Sequence, residues 1–366
     1  MPDLLGHEWF GTTTPPASGG HLGRRLGRAL MASLGALVLG SASGSGAQEP
    51  EAPAFGIPEI RIPAEAEWVD RGRLFQAGVE GDWDFLLWGG FTVTAVRLQD
   101  EILLYYQGSS SYREEFDPTV CERSIGLAHG DPGEGFEKSG DAPVLTWSPM
   151  DGCEEGAAAG AAVVLQDEVL LYYGANTLTS RTQVSADIRL ARSDDGRAFR
   201  DVGIVVAHDD PGVWGGGDEL FPLLTFVDGP STLLYYVPNG TRFARQLGVA
   251  TGPAPDRLTE SRRVRDPRGR PVTVWGPAGY GRVGPGLVAL VLKGGPEADM
   301  EVRLVDPSRP DQVSDPVEVY SFGEVSQATV VLDEDLGSWL MFYRGDDFYG
   351  LKTAAVTPSG NGGSGG

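Results

Sequence analysis

A chain of 366 residues with 41% hydrophobic content can bury one large core or two ordinary ones, which excludes disorder as its default state. Its 53 glycines and 26 prolines, with scarcely a helical period between them, favour many short strands joined by turns, so the expected fold class is all-β. A formal charge of -22 repels polyphosphate, and arginine pairs such as Arg262 and Arg263 form no broad basic stripe, which argues against a nucleic-acid partner.

The first predicted segment is a targeting one. Arg24, Arg25 and Arg28 precede an apolar stretch from Ala29 to Leu39 and small residues ending at Ala47, the layout of a secretory signal. The paired arginines also fit a twin-arginine signal. That stretch is shorter than the roughly 18 to 20 apolar residues of a membrane helix, and no later segment reaches this length. Residues 1–47 are therefore expected to direct export, leaving a secreted or periplasmic protein with no membrane span, expected to be a monomer. In an oxidising compartment Cys121 and Cys153, the only cysteines, are expected to form a disulfide. With four histidines, two of them in the exported leader, no zinc site and no cofactor is expected. The only Gly-x-Ser-x-Gly match, at Ser364, falls in the tail over 358–366, which reads as a flexible end.

Between leader and tail, over 48–357, one unit recurs. EILLYY at 101–106, EVLLYY at 168–173 and STLLYY at 231–236 each follow an apolar strand and a tight turn, and each leads through a polar loop to a third strand. The third strands are RSIGLAHG, DIRLARSD and RQLGVATG. Weaker copies follow in GPGLVALVLKG with EVRLVDPS, and in SQATVVLD with SWLMFYRG. Five antiparallel units of roughly 50 to 65 residues, each too small to bury its own faces, predict a five-bladed β-propeller of four-stranded blades. Alternate residues of a strand face opposite ways, so both sides of the LLYY strands are expected to pack between blades. FQAGVEGDWD at 75–84 is expected to supply the outer strand that closes the ring.

Gly81-Asp82-Trp83-Asp84, then LYYQG, SIGLAHGDPGEGFEK, APVL and IRLARSDDGRAF resemble the five-bladed propeller glycoside hydrolases that include arabinanases, xylosidases, invertases and levansucrases. The resemblance covers about residues 60 to 357 and implies a carbohydrate substrate or ligand. Cleaving a glycosidic bond takes one carboxylic acid to protonate the leaving oxygen and a second carboxylate as base or nucleophile, about 5 to 10 Å apart. The resemblance places these at the beginnings of innermost strands. Glu219, in Asp218-Glu219-Leu220-Phe221-Pro222, matches the family's acid in the third unit, with Asp218 beside it. In the first two units the family's Asp-Pro steps fall near Val93 and Gly160, where no carboxylate stands. Asp84, and Asp151, Glu154 or Glu155, are the substitutes that the sequence offers. The implied activity is glycoside hydrolysis; the rival is a glycan-binding propeller whose active site has decayed.

Arg123, Arg189 and Arg245 lie near the beginnings of third strands, where an antiparallel meander brings them to the rim that carries Glu219. There they can hold a substrate carboxylate or hydroxyl, or pair with acids between blades. Trp88, Trp214 and Tyr112 are candidates for stacking a sugar ring on the same rim, or for packing.

Overall fold

The computed structural model describes residues 61–79, 81–87, 93–109, 123–146, 156–180, 183–215, 219–239, 245–275, 279–284, 286–294, 299–323, 325, 327–345 and 347–355. Apart from one 3-10 turn, Glu65–Glu67, the regular structure among these residues is strand, as the alternation of apolar runs with Gly and Asp turns requires. No described helix is long and apolar enough to cross a membrane.

The strands form successive antiparallel meanders. Strand β1 (Val69–Gln76) stands apart from the first of them, which contains β2 (Leu86–Leu87), β3 (Val93–Leu98), β4 (Glu101–Ser109), β5 (Ser124–Asp131) and β6 (Gly135–Lys138). Both β2 and β3 pair antiparallel with β4. The second sheet runs β7 (Ala157–Leu165), β8 (Glu168–Ser180), β9 (Gln183–Ser193) and β10 (Arg200–Val206). The third runs β11 (Glu219–Asp228), β12 (Ser231–Asn239), β13 (Gly248–Gly252) and β14 (Glu260–Arg263). Next come β15 (Gly279–Gly284), β16 (Leu287–Lys293), β17 (Met300–Val305) and β18 (Glu318–Tyr320), then β19 (Gln327–Asp333), β20 (Ser338–Arg344) and β21 (Phe348–Ala355). These last two meanders merge through a parallel pairing of β15 and β19 at Tyr280 and Val331.

The fifth meander takes its outer strand from the beginning of the fold: β1 pairs antiparallel with β21, from Val69 opposite Thr353 to Gln76 opposite Phe348. The closing strand is therefore VDRGRLFQ, and the expected 75–84 segment overlaps it only at Phe75 and Gln76. Residues 81–84 instead belong to the turn-rich loop between β1 and β2. The reason is visible in the sequence order: Trp83 and Asp84 are needed on the first sheet, where Trp83 stacks on Tyr106 with ring centres 5.8 Å apart.

Each meander buries its faces on its neighbours. One apolar layer joins Leu103, Tyr105 and Leu127 of the first sheet to Leu171 and Tyr173 of the second. Others join Tyr172 to Leu234 and Tyr236, then Tyr235 to Leu290, then Val291 to Val330 and Met341. The last joins Phe342 and Leu351 of the fifth meander back to Leu104 and Tyr106 of the first. Arg97 on β3 and the buried Asp333 on β19 add an ion pair across that junction, 2.5 Å between Nη2 and Oδ2.

The repeated tyrosines have two distinct tasks. The first of each pair reaches the following sheet: the hydroxyls of Tyr105, Tyr172 and Tyr235 donate to the carbonyls of Gly196, Pro255 and Pro310 at 2.8, 2.9 and 2.8 Å. The second stays within its own sheet and crosses the third strand to an outer polar group. Tyr173 donates to Asp201 at 2.8 Å and Tyr343 to Asp70 at 3.1 Å, while Tyr236 meets Ser261 at 2.5 Å. Both tyrosines of each pair are almost fully buried, so an unpartnered hydroxyl would cost about 1 to 3 kcal/mol, which is why the motif recurs with its partners.

Candidate functional site

In a meander the first strand begins, the second ends and the third begins at one edge, so that edge collects the site candidates. Glu219 is the first residue of β11, opposite Asn239, and is half-buried. Register through the paired tyrosines identifies its counterparts. Leu86 stands opposite Ser109 in the first sheet, as Glu219 does opposite Asn239 in the third. In the second sheet Ala157 stands opposite Ala175, which places Gly156 at the corresponding position. Among the described residues, Glu219 is the only carboxylate that begins an innermost strand. The same register sets Val93 and Ala159 level with Pro222, so the family's Asp-Pro steps have no carboxylate equivalent there.

Asp84 does not stand open on this edge. It is 4% exposed and lies against the first sheet, where Oδ2 accepts hydrogen bonds from Tyr106 at 3.0 Å and from Lys138 Nζ at 2.6 Å. Its carboxylate joins the second tyrosine of the repeat to the outer strand, the work that Asp201 and Asp70 do elsewhere. Burial raises the Tyr106 pKa, and the adjacent Asp84 charge raises it further, so the phenol stays a donor.

Arg123 and Arg245 match in register, each three residues ahead of a glycine opposite the second tyrosine, Gly126 opposite Tyr106 and Gly248 opposite Tyr236. The Arg123 carbonyl accepts the Ala157 amide at 3.1 Å, tying the first sheet's edge to the beginning of β7. Arg245 has φ of 65°, a left-handed conformation uncommon outside glycine. It is held there by Arg245 N to Pro238 O at 2.8 Å and Val274 N to Arg245 O at 2.7 Å, and its guanidinium carbon lies 3.3 Å from the centre of the Trp275 ring. Burial lowers the Arg245 pKa from its usual range. Arg189 departs from this arrangement. It occupies the register of Gly126 and Gly248, directly opposite Tyr173, and its Nη2 binds Asp201 Oδ2 at 2.5 Å on the outer strand. It braces the second sheet.

Trp214 lies over Gly248, where a Cβ would stand 2.7 Å from the indole Cδ1, and the Arg263 guanidinium is 4.7 Å from its ring centre. Trp83 has the same place over Gly126 in the first sheet. The Trp-on-Gly contact is thus a repeated packing device, and the part of Trp214 that faces solvent borders a hollow on the outer side of the third sheet. Asp218, Glu155, Trp88 and Tyr112 lie outside the described residues, as do Cys121 and Cys153.

Two groups on the rim escaped the sequence reading. Trp275 immediately precedes the loop into β15, and its amide donates to the Lys293 carbonyl at 2.6 Å. Lys293 is 5% exposed, donates from Nζ to Val325 O at 3.0 Å, and has its pKa lowered by burial. The available signal was positional: aligned on the repeat, Lys293 stands where Gln107 and Arg344 stand, directly after the second-tyrosine position.

No family model matches the chain, and no curated protein matches it. Solved structures do. A family 117 glycoside hydrolase of the marine bacterium Zobellia galactanivorans superposes with a TM-score of 0.59 at 15% identity, over 81% of this chain and 92% of that one. The fold is that of the β-propeller glycoside hydrolases. A glycosyl hydrolase from Bacteroides ovatus has a TM-score of 0.51 at 14% identity, covering 84% of this chain and 96% of its own. A family 43 β-xylosidase/α-arabinofuranosidase from a compost microbial metagenome has a TM-score of 0.51 at 14% identity, covering 78% and 94%. At these identities the likeness is one of architecture, and chemistry has to be argued from the residues themselves.

Proposed function

We propose that this protein is an exported, monomeric five-bladed β-propeller that hydrolyses an oligo- or polysaccharide at the rim where its innermost strands begin, with Glu219 as proton donor. The observation that carries this reading is the position of Glu219, half-buried at the first residue of an innermost strand in a fold shared with glycoside hydrolases. A carboxylic acid that protonates a leaving oxygen must keep its proton near working pH, which partial removal from water favours. The five-blade count is supported by five apolar layers between successive meanders, the last returning to the first. Export is supported by the signal layout of residues 1–47, with 48–357 as the propeller and 358–366 as its tail, and the Cys121 to Cys153 disulfide follows from that compartment.

The second carboxylate of such a reaction is assigned to Glu155, one residue ahead of Gly156, the register counterpart of Glu219 in the second sheet. Asp218 adds a like charge next to the acid in sequence. Arg123 and Arg245, at matching positions on two sheets, supply donors for sugar hydroxyls or a carboxylate.

Glycan binding without turnover is the second reading. It is favoured by Leu86 at the first sheet's equivalent of Glu219, and by the commitment of Asp84 to Lys138. A panel of aryl glycosides and polysaccharides, assayed with the wild type and Glu219→Gln, separates the two. Hydrolysis requires that the variant lose at least about a hundredfold in rate on an unactivated substrate, with folding kept. Glycan affinity without turnover in the wild type establishes the binding reading, and unaltered turnover in the variant removes Glu219 from the mechanism.

A further inference from the structure

Just ahead of β13 the backbone is held in an uncommon state. Among the described residues, the non-glycine positions with positive φ are Gln99, Gln166, Asp167 and Arg245. The first three sit in the two-residue turns between β3 and β4 and between β7 and β8, where left-handed geometry matches the twist of a hairpin. Arg245 lies in no such turn. A φ of 65° favours glycine, and non-glycine residues held in this way gather where a side chain has to be aimed.

The surroundings of Arg245 aim it. Residues 272–275 run as an extended segment beside residues 245–247: Leu247 N donates to Val272 O at 2.8 Å, Val274 N donates to Arg245 O at 2.7 Å, and Gln246 bridges antiparallel to Thr273. This segment sets the half-buried Trp275 against Arg245, with the guanidinium carbon 3.3 Å from the ring centre. The indole is fixed in turn on the next sheet, since Trp275 N donates to Lys293 O of β16 at 2.6 Å. On its other side Arg245 N donates to Pro238 O at 2.8 Å, and Pro238 stands opposite Leu220, the neighbour of Glu219. The Arg245 backbone is thus joined to the strand that Glu219 begins through β12 alone, while one flat face of its guanidinium lies on the indole.

We infer that Trp275 is a positioning residue of the rim, holding the Arg245 guanidinium in the orientation that grips hydroxyls of the bound sugar. The inference rests on the glycan reading proposed above, and not on which residue is the acid. A guanidinium lying flat on an aromatic ring keeps its N–H donors in its own plane, directed outward at its edges. Fixing a long arginine in advance also lowers the ordering cost of each hydrogen bond that it donates to a ligand. Such a grip acts alike on ground and transition states, so its loss is expected to raise KM more than it lowers kcat.

The test is a double-mutant cycle on the full mature protein, with wild type, Trp275→Leu, Arg245→Gln and the double variant. Glycans that the wild type turns over are read by KM and kcat, and those that it only binds by calorimetry. Trp275→Leu is expected to weaken binding roughly fivefold, and Trp275→Phe, which keeps an aromatic face, to recover most of that loss. In the Arg245→Gln background the Trp275→Leu change is expected to weaken binding by less than about twofold, because the indole then has no guanidinium to hold. Thermal melts accompany each variant, and Trp275→Met replaces Trp275→Leu in the cycle if that variant does not fold. The inference is overturned if Trp275→Leu binds as the wild type does, if Trp275→Phe melts normally without restoring binding, or if the two changes add in full. A wild type that binds no glycan overturns the proposed function and this inference with it. Turnover unaltered by Glu219→Gln removes the acid and leaves the cycle standing.

Discussion

The first and third sheets are built on one plan and differ where chemistry is at stake. In each, a tryptophan from the preceding loop lies over a glycine of the third strand, Trp83 over Gly126 and Trp214 over Gly248, and a buried tyrosine hydroxyl sits below. The third sheet ends that contact on neutral groups, Ser261 Oγ and the Trp214 carbonyl, and begins its innermost strand with Glu219. The first sheet ends it on an ion pair, Asp84 with Lys138, and begins its innermost strand with Leu86. The carboxylate is thus at the strand's beginning in one sheet and in its packing in the other. The outer strand sets the packing contact, Lys138 drawing a carboxylate under Trp83 in one sheet and Ser261 leaving the tyrosine a neutral partner in the other.

Exchanging the two acids for amides should break the symmetry most sharply. Glu219→Gln should lower hydrolysis by at least about a hundredfold at nearly unchanged stability. Asp84→Asn should do the reverse, leaving Lys138 without its counter-charge and costing on the order of 3 kcal/mol, read from the denaturation midpoint. If Asp84→Asn instead abolishes turnover in a protein that melts normally, Asp84 is the base and its pairing with Lys138 is secondary.

The glycines under the tryptophans give the next largest effect. A Cβ on Gly126 would stand 2.4 Å from Trp83 and 2.6 Å from Tyr106, whereas on Gly248 the nearest atoms are 2.7 and 2.9 Å away. Both Gly→Ala variants should lose about 1 to 3 kcal/mol through overpacking, with Gly126→Ala the more affected in thermal melts. Equal losses would mean that the two indoles yield alike.

Removing one hydroxyl sharpens the comparison further. Tyr106→Phe takes a donor from a buried carboxylate and should cost about 1.5 to 3 kcal/mol, while Tyr236→Phe removes a neutral contact and should cost about 1 kcal/mol. A double-mutant cycle with Asp84→Asn and with Ser261→Ala measures each coupling, and a larger coupling in the third sheet would contradict the ionic assignment.

The smallest effect concerns acid. Burial raises the Asp201 pKa, but hydrogen bonds from Arg189 and Tyr173 outweigh it and hold the carboxyl below its usual value. Its folded pKa is depressed, so its contribution is present above the unfolded value, about 3.9, and is lost as pH falls through the folded one. Stability should therefore change little between about pH 5 and 8 on this account and fall below about pH 4, with a shallower fall in Asp201→Asn. The third sheet, with Ser261 at the matching position, has no such group to protonate.

Much of the architecture was legible because it repeats. LLYY at 103, 170 and 233 announces strands buried on both faces, and the structure finds those residues at the layers between sheets. The closing strand was placed several residues late, since FQAGVEGDWD reads as well for a strand as VDRGRLFQ does; pairing with β21 chooses between them. Glu219 could be singled out from Glu-Leu-Phe-Pro and the turn before it. Asp84 looked equally available, because its neighbour Lys138 is 54 residues away and no local pattern joins them. For Arg189 the sequence leaves substrate contact and pairing with an acid open for the same reason, since its partner Asp201 lies on the next strand.

By itself the sequence determined the class, the repeating meander and the absence of carboxylates at two of the expected strand beginnings, since these depend on residue type and on alternation along a strand. Tertiary structure alone decided which charges are spent. Whether an aspartate is a base or a brace, and whether an arginine is paired or exposed at a hollow, depends on which side chain of a distant strand stands within about 3 Å, and strand register sets that.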